Sequence, residues 1–170
     1  MRQIKNQIII LLFETETQGS EWRFLTSGRT AHYAFSENDR RAEKIINNGR
    51  TYAHLFGDRN LSPTGTSRYS IQIIKNPKNE LDSAYGIGVA LESSSFDIHF
   101  HVQHFAYMIY IGSFNGALYA GSKGYGNYLN LKITEFDKVK VIVDMDDTLP
   151  TLRFEVNEKR SECPADVPLD

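Results

Sequence analysis

The sequence predicts an all-β fold, a two-sheet antiparallel β-sandwich, and three observations carry that prediction. Short segments alternate polar and apolar residues, as in Arg68-Tyr69-Ser70-Ile71-Gln72-Ile73, the pattern of a half-buried strand. Turn signals punctuate these segments, including Asn48-Gly49 and Asn115-Gly116, where Asn-Gly supplies the positive φ angles of a tight hairpin. Ten Phe and nine Tyr suit pleated, half-buried surfaces.

Taken in chain order, the first element is Ile8-Ile9-Ile10-Leu11-Leu12-Phe13, preceded by Arg2 and Lys5 and followed by Glu14 and Glu16. Its six apolar residues fall short of a signal-peptide core and far short of a membrane span. A β-branched run between polar flanks reads as a strand buried on both faces. Ser36–Asn47 carries the one helix signal, a capping Ser36 with Asp39 three positions on. The Asn-Gly pair just after it favours a strand over Ala42–Ile46, turning at 48–49 into Thr51–Phe56. Further strands are expected at Arg68–Ile73, Gly86–Leu91, Tyr107–Phe114, Ala117–Ala120, Lys138–Met145 and Thr151–Val156, with Asn115-Gly116 joining the middle pair. Residues 158–170 read as a polar tail. No fixed-period repeat or low-complexity linker interrupts 1–170, so a single domain is expected.

Composition narrows the function classes. The chain has 170 residues, of which 41% are hydrophobic and 24% charged, and folding at this size buries about 70% of the unfolded surface. The net charge is −2 with no basic block, against the basic excess of a nucleic-acid binder. One cysteine, Cys163, cannot form an internal disulfide, which favours a reducing compartment. A cytoplasmic protein without nucleic-acid or membrane partners is expected.

Several motifs invite chemistry and lose it on inspection. Asp144-Met145-Asp146-Asp147-Thr148, after a hydrophobic strand, is similar to the nucleophile loop of haloacid-dehalogenase-type phosphatases. Only 22 residues follow Thr148, too few for the parallel α/β domain which that chemistry needs downstream, and turn chemistry explains the acids. His99-Phe100-His101 with His104 could present zinc ligands from one strand face, beside Asp97, but no general base is placed with them. Gly121-Ser122-Lys123-Gly124-Tyr125-Gly126 lacks the Gly-Lys-Ser/Thr ending of a phosphate loop and reads as a tight loop or bulge. Cys163 has no base partner in sequence, and Ser94–Phe96 shows no nucleophile elbow. No catalytic residue, metal ligand or cofactor is therefore assigned.

The order of the strand motifs is more informative. Gly65-Thr66-Ser67-Arg68-Tyr69 through Ile73 is followed by Gly86-Ile87-Gly88-Val89-Ala90. Then come Tyr110 through Gly126, and finally Phe136-Asp137-Lys138-Val139 through Asp144, Thr148-Leu149-Pro150-Thr151-Leu152-Arg153-Phe154 and Asn157. This series, over residues 65–157, resembles the SPRY (butyrophilin-type) domain family, and 35–62 is similar to its lead-in hairpin. The departures are specific. Phe136 stands where the family has Gly, Tyr69 where it has Trp, and Asn157-Glu158 where it has Asn-Gly. The family's closing strand has no clear counterpart before Asp170, which leaves a vacant edge that Ile8–Phe13 could fill.

The resemblance implies a concanavalin-like sandwich whose loops grip a partner protein or short peptide, without turnover. Arg59, Asn60, Arg68, Tyr85, Phe114, Tyr119 and Tyr125 are the expected contact residues, since exposed aromatic and Arg side chains in inter-strand loops give the most energy per residue at interfaces. Tyr69 and Phe154 are assigned to packing instead. Two other readings stay open: a lectin-like sugar-binding sandwich, and a metal-dependent enzyme, both built on His99, His101 and His104.

Overall fold

A computed structural model describes residues 10–14, 22–26, 33–44, 55–75, 84–90, 106–112, 117–120, 123–125, 132–146, 150–157, 159–160 and 167–168. Among these, every regular element is a strand and every pairing is antiparallel. The larger sheet contains β1 (Ile10–Glu14), β2 (Tyr33–Ser36), β3 (Arg41–Lys44) and β4 (Thr66–Lys75). It is completed by β9 (Lys138–Asp144), β10 (Thr151–Val156), β11 (Lys159–Arg160) and β12 (Val167–Pro168). Its spatial order is β11-β10-β9-β4-β1-β3-β2, with β12 also on β10. The smaller sheet runs β5 (Ala84–Ala90), β6 (Ala106–Gly112), β7 (Leu118–Ala120) and β8 (Lys123–Tyr125).

Alternation explains the central strands. In β10, Leu152, Phe154 and Val156 are buried while Thr151, Arg153 and Glu155 are only partly covered. In register with them stand Val143, Val141 and Val139 of β9, and beyond those Ser67, Tyr69 and Ile71 of β4. This apolar face joins Ile87, Ile109 and Leu118 of the smaller sheet in one buried cluster. The two sheets therefore share a core. Tyr69 adds a polar tie, its hydroxyl donating to the carbonyl oxygen of Gly88 in β5.

Several turns differ from the sequence expectation. The strand β3 starts within the 36–47 segment, but its two hydrogen-bonded neighbours are β2 and β1 rather than the Thr51–Phe56 segment expected to pair with it. Both its edges are occupied: Ala42 is in register with Phe35 of β2 and Leu11 of β1. The hairpin instead turns at 37–40, where Glu37, Asn38 and Asp39 all have φ between 54° and 62°, and Phe24 N–H donates to Asp39 O at 2.8 Å. Likewise, a two-residue Asn115-Gly116 loop would set Leu118 opposite Ser113. Leu118 pairs with Ile109, four residues earlier, so those two residues cannot be the whole connection. Residues 48–49 and 115–116 themselves lie outside the described residues.

The sheet edges also differ. β1 does not fill an outer edge; it lies between β4 and β3, paired along both of its edges. The open side of β10 is met by residues from the segment read as a polar tail: Val156 pairs with Lys159, and Thr151 with Pro168. Short strands, one of them here ending in Pro, are a common way to blunt an edge. The glycine-rich segment contributes β8, whose Lys123 pairs with Ala120 across a two-residue connection.

Candidate functional site

Three neighbouring features are built around β4 and β9. The first is the segment leading into β4. Asp58 N–H donates to Arg23 O at 2.8 Å, and Asp58 Oδ1 accepts Arg23 N–H at 3.1 Å. At the other end Gly65, at φ 73°, donates its N–H to Asp146 Oδ1 at 2.6 Å, and Met145 N–H donates to Gly65 O at 3.0 Å. Between these ties Ser62 donates twice, its N–H to Ser67 Oγ at 3.2 Å and its hydroxyl to Thr64 O at 2.6 Å. Arg59 and Asn60 are exposed on this braced stretch. The Asp58 carboxylate sits 3.9 Å from Arg59 Nε, a loose surface pair worth little.

These ties also give the Asp144–Asp146 acids a structural part. Asp144 accepts Thr66 Oγ1–H at 3.3 Å and Asp146 N–H at 3.1 Å, while Asp146 caps Gly65. Their carboxylates anchor the start of β4 in a β9–β10 hairpin, away from the parallel-sheet context of a phosphatase loop.

The second feature is the turn entering β9. Asp137 Oδ2 accepts Thr134 N–H at 2.6 Å and Thr134 Oγ1–H at 2.9 Å. Asp137 Oδ1 accepts Asn157 Nδ2–H at 2.7 Å, and Asn157 Oδ1 accepts Lys138 N–H at 2.9 Å. Phe136 N–H and Asp137 O bracket Ile73 of β4 at 2.6 and 3.0 Å. Within this lattice Phe136 is left-handed at φ 68° and 67% exposed, a costly conformation for a bulky residue. Sequence reasoning flagged Phe136 only as a departure from Gly; that departure was the available signal for its backbone. Asn157 is likewise left-handed at φ 52°, which Asn tolerates.

The third feature is the face of β4, β9 and β10 opposite the core. Arg68, Ile142 and Arg153 share one rung, Ser70, Lys140 and Glu155 the next, and Thr66, Asp144 and Thr151 the one on the other side. Arg68 is exposed on this face.

The expected contact residues therefore do not form one loop cluster. Arg59 and Asn60 lie on the braced segment, but Arg68 is within β4, Tyr85 within β5, Tyr119 within β7 and Tyr125 within β8. The three tyrosines belong to the smaller sheet and Arg68 to the larger. Phe114 lies outside the described residues, as do His99, His101, His104 and Cys163. Among the described residues no group of three or more His, Cys, Asp or Glu side chains is arranged to hold a metal ion. Tyr69 and Phe154 are both buried, and burial pushes the Tyr69 phenol well above its ordinary range.

Compared with known proteins, the chain matches no protein-family model and no curated protein. Among the described residues, no helix is long and apolar enough to cross a membrane.

Proposed function

We propose that the chain is a non-enzymatic protein-interaction module of the SPRY type, an adaptor or scaffold unit. In this reading the two sheets pack face to face as a sandwich and hold a partner-binding segment at one end. The shared buried cluster and the Tyr69–Gly88 hydrogen bond support that packing. The left-handed backbone at Phe136 supports the resemblance, because it is the conformation that would favour glycine at the position where the family has glycine.

One observation carries the functional part: the 58–65 segment is tied at both ends and offers exposed Arg59 and Asn60 between the ties. A braced segment loses little conformational entropy on binding, and Arg and Asn supply directional donors for backbone and carboxylate groups of a peptide. Partner recognition, with no turnover, is what such an arrangement does well.

Panning a phage-displayed random peptide library against the immobilised chain tests the reading. The expected result is a consensus peptide whose binding drops at least about tenfold on Arg59→Ala or Asn60→Ala, as expected for loss of charge-assisted or buried hydrogen bonds. Enrichment of no consensus, or of peptides indifferent to both changes, would overturn it.

A further inference from the structure

The 58–65 segment contains the chain's single Ser/Thr-Pro pair, Ser62-Pro63; the other prolines follow Asn76, Leu149, Cys163 and Val167. Ser62 and Pro63 are both exposed, in a stretch that forms no strand before β4 begins at Thr66. Proline has no N–H and disfavours helical backbone in the residue before it. Ser62 is therefore offered on extended chain, followed by a position with nothing to donate. A kinase groove that leaves no acceptor for that next N–H selects such a pair, because any other residue would bury an unpaired donor there.

The surroundings of the Ser62 hydroxyl suit a phosphate. Thr64 N–H already points at Ser62 Oγ, at 3.4 Å, and Ser67 Oγ accepts Ser62 N–H at 3.2 Å, which puts a second hydroxyl on the same turn. Arg59 stands three residues before Ser62, exposed, with its Nε 3.9 Å from Asp58 Oδ1, too long for a hydrogen bond. The two carboxylates of the segment's ties, Asp58 and Asp146, each hold a backbone N–H, of Arg23 and Gly65. An exposed ion pair as long as Asp58–Arg59 contributes little. A phosphoserine carries a charge of about −1.5 to −2 and three strong acceptor oxygens, so it would outbid Asp58 for the guanidinium.

We infer that Ser62 is the phosphoacceptor of a proline-directed protein kinase, and that its phosphate draws Arg59 onto itself and switches off the peptide-binding segment. The modification stands on the 58–65 segment alone; the switching rests on the protein-interaction reading. In the transfer, Ser62 Oγ bonds to the γ-phosphorus of Mg·ATP and the bond from that phosphorus to the β-bridging oxygen breaks. ADP leaves, and the hydroxyl proton passes to the kinase's base.

Treating the full chain with a purified mitogen-activated protein kinase and Mg·ATP tests the inference. Intact-mass and tandem mass spectrometry should show one phosphate per chain, on Ser62, lost in both Ser62→Ala and Pro63→Ala. Phosphorus NMR of the product should show the phosphate titrating at lower pH than in phosphorylated Arg59→Ala, as pairing with a cation favours the dianion. A consensus peptide obtained by panning should bind the phosphorylated chain at least about tenfold more weakly. No transfer, transfer elsewhere, or transfer that survives Pro63→Ala overturns the site. A titration indifferent to Arg59, or unchanged peptide binding, overturns the switch and leaves the interaction reading intact. If panning yields no consensus, the interaction reading and the switch fall together, and mass spectrometry alone decides the site.

Discussion

The hydroxyl of Tyr69, in the middle of β4, donates to the carbonyl oxygen of Gly88 in β5 and so ties the larger sheet to the smaller one. Around it, Trp22 lies with its ring centroid 5.7 Å from that of Tyr69, and Val141 and Phe154 continue its rung across the buried face. One side chain thus joins apolar packing to a polar link between the two sheets.

Tyr69→Phe keeps the ring and removes the tie, stranding the Gly88 carbonyl. A loss of about 1–3 kcal/mol is expected, read by urea denaturation. The same residue sets an alkaline limit. Burial raises the folded-state pKa of its phenol, whereas in the unfolded chain it ionises near ~10. Above that pH the unfolded state loses a proton that the folded state keeps, so stability is full below about pH 10 and falls as pH rises beyond it. Tyr69→Phe should flatten that fall.

Phe136→Gly relieves a left-handed backbone at an exposed position. The variant should be at least as stable as the parent, because the strain of about 1–2 kcal/mol offsets the added freedom of the unfolded chain. Phe136→Val, β-branched at the same φ, should lower the midpoint of denaturation. The reverse order would contradict the conformation assigned there.

Asp137 and Asn157 form one network with Thr134 and Lys138. Asp137→Ala and Asn157→Ala should each destabilise by about 1–3 kcal/mol, and the double variant by less than the sum because they share a bond. Chemical denaturation of the full cycle checks this; strict additivity would show that the two side chains act independently.

Gly57 backs onto Trp22: a Cβ there would lie 3.0 Å from Trp22 Cε3 and 3.2 Å from Cζ3. Gly57→Ala must displace the indole. Since Trp22 is the chain's single tryptophan, its fluorescence maximum should move while the far-UV spectrum stays unchanged.

How far the sequence could be read depends on the range of the signal. Strands whose faces differ sharply were legible: β4, β9 and β10 fall within two residues of their predicted limits, and β10 matches Thr151–Val156 outright, because alternation is local. Partnership was not. Asn48-Gly49 is a strong turn signal, yet Ala42 pairs with Phe35 and Leu11, a choice made by burial across distant segments. The same holds for β1, whose place between β4 and β3 depends on which strand accepts its two edges.

The candidate site was less legible still. Arg59 and Asn60 could be nominated as exposed polar residues, but the ties that brace them join Asp58 to Arg23 and Gly65 to Asp146, 35 and 81 residues away. The register that sets Arg68 beside Ile142 and Arg153 joins three strands that local patterning cannot align. Phe136 was visible only as an oddity until its φ gave the reason.

The most direct test of the interaction reading is affinity capture from source lysate with the purified chain, followed by cross-linking mass spectrometry. The account predicts a captured protein cross-linked near residues 58–65, lost on a combined Arg59→Ala, Asn60→Ala variant that folds normally. Capture of glycans alone, or of a partner cross-linked elsewhere and indifferent to that variant, would contradict it.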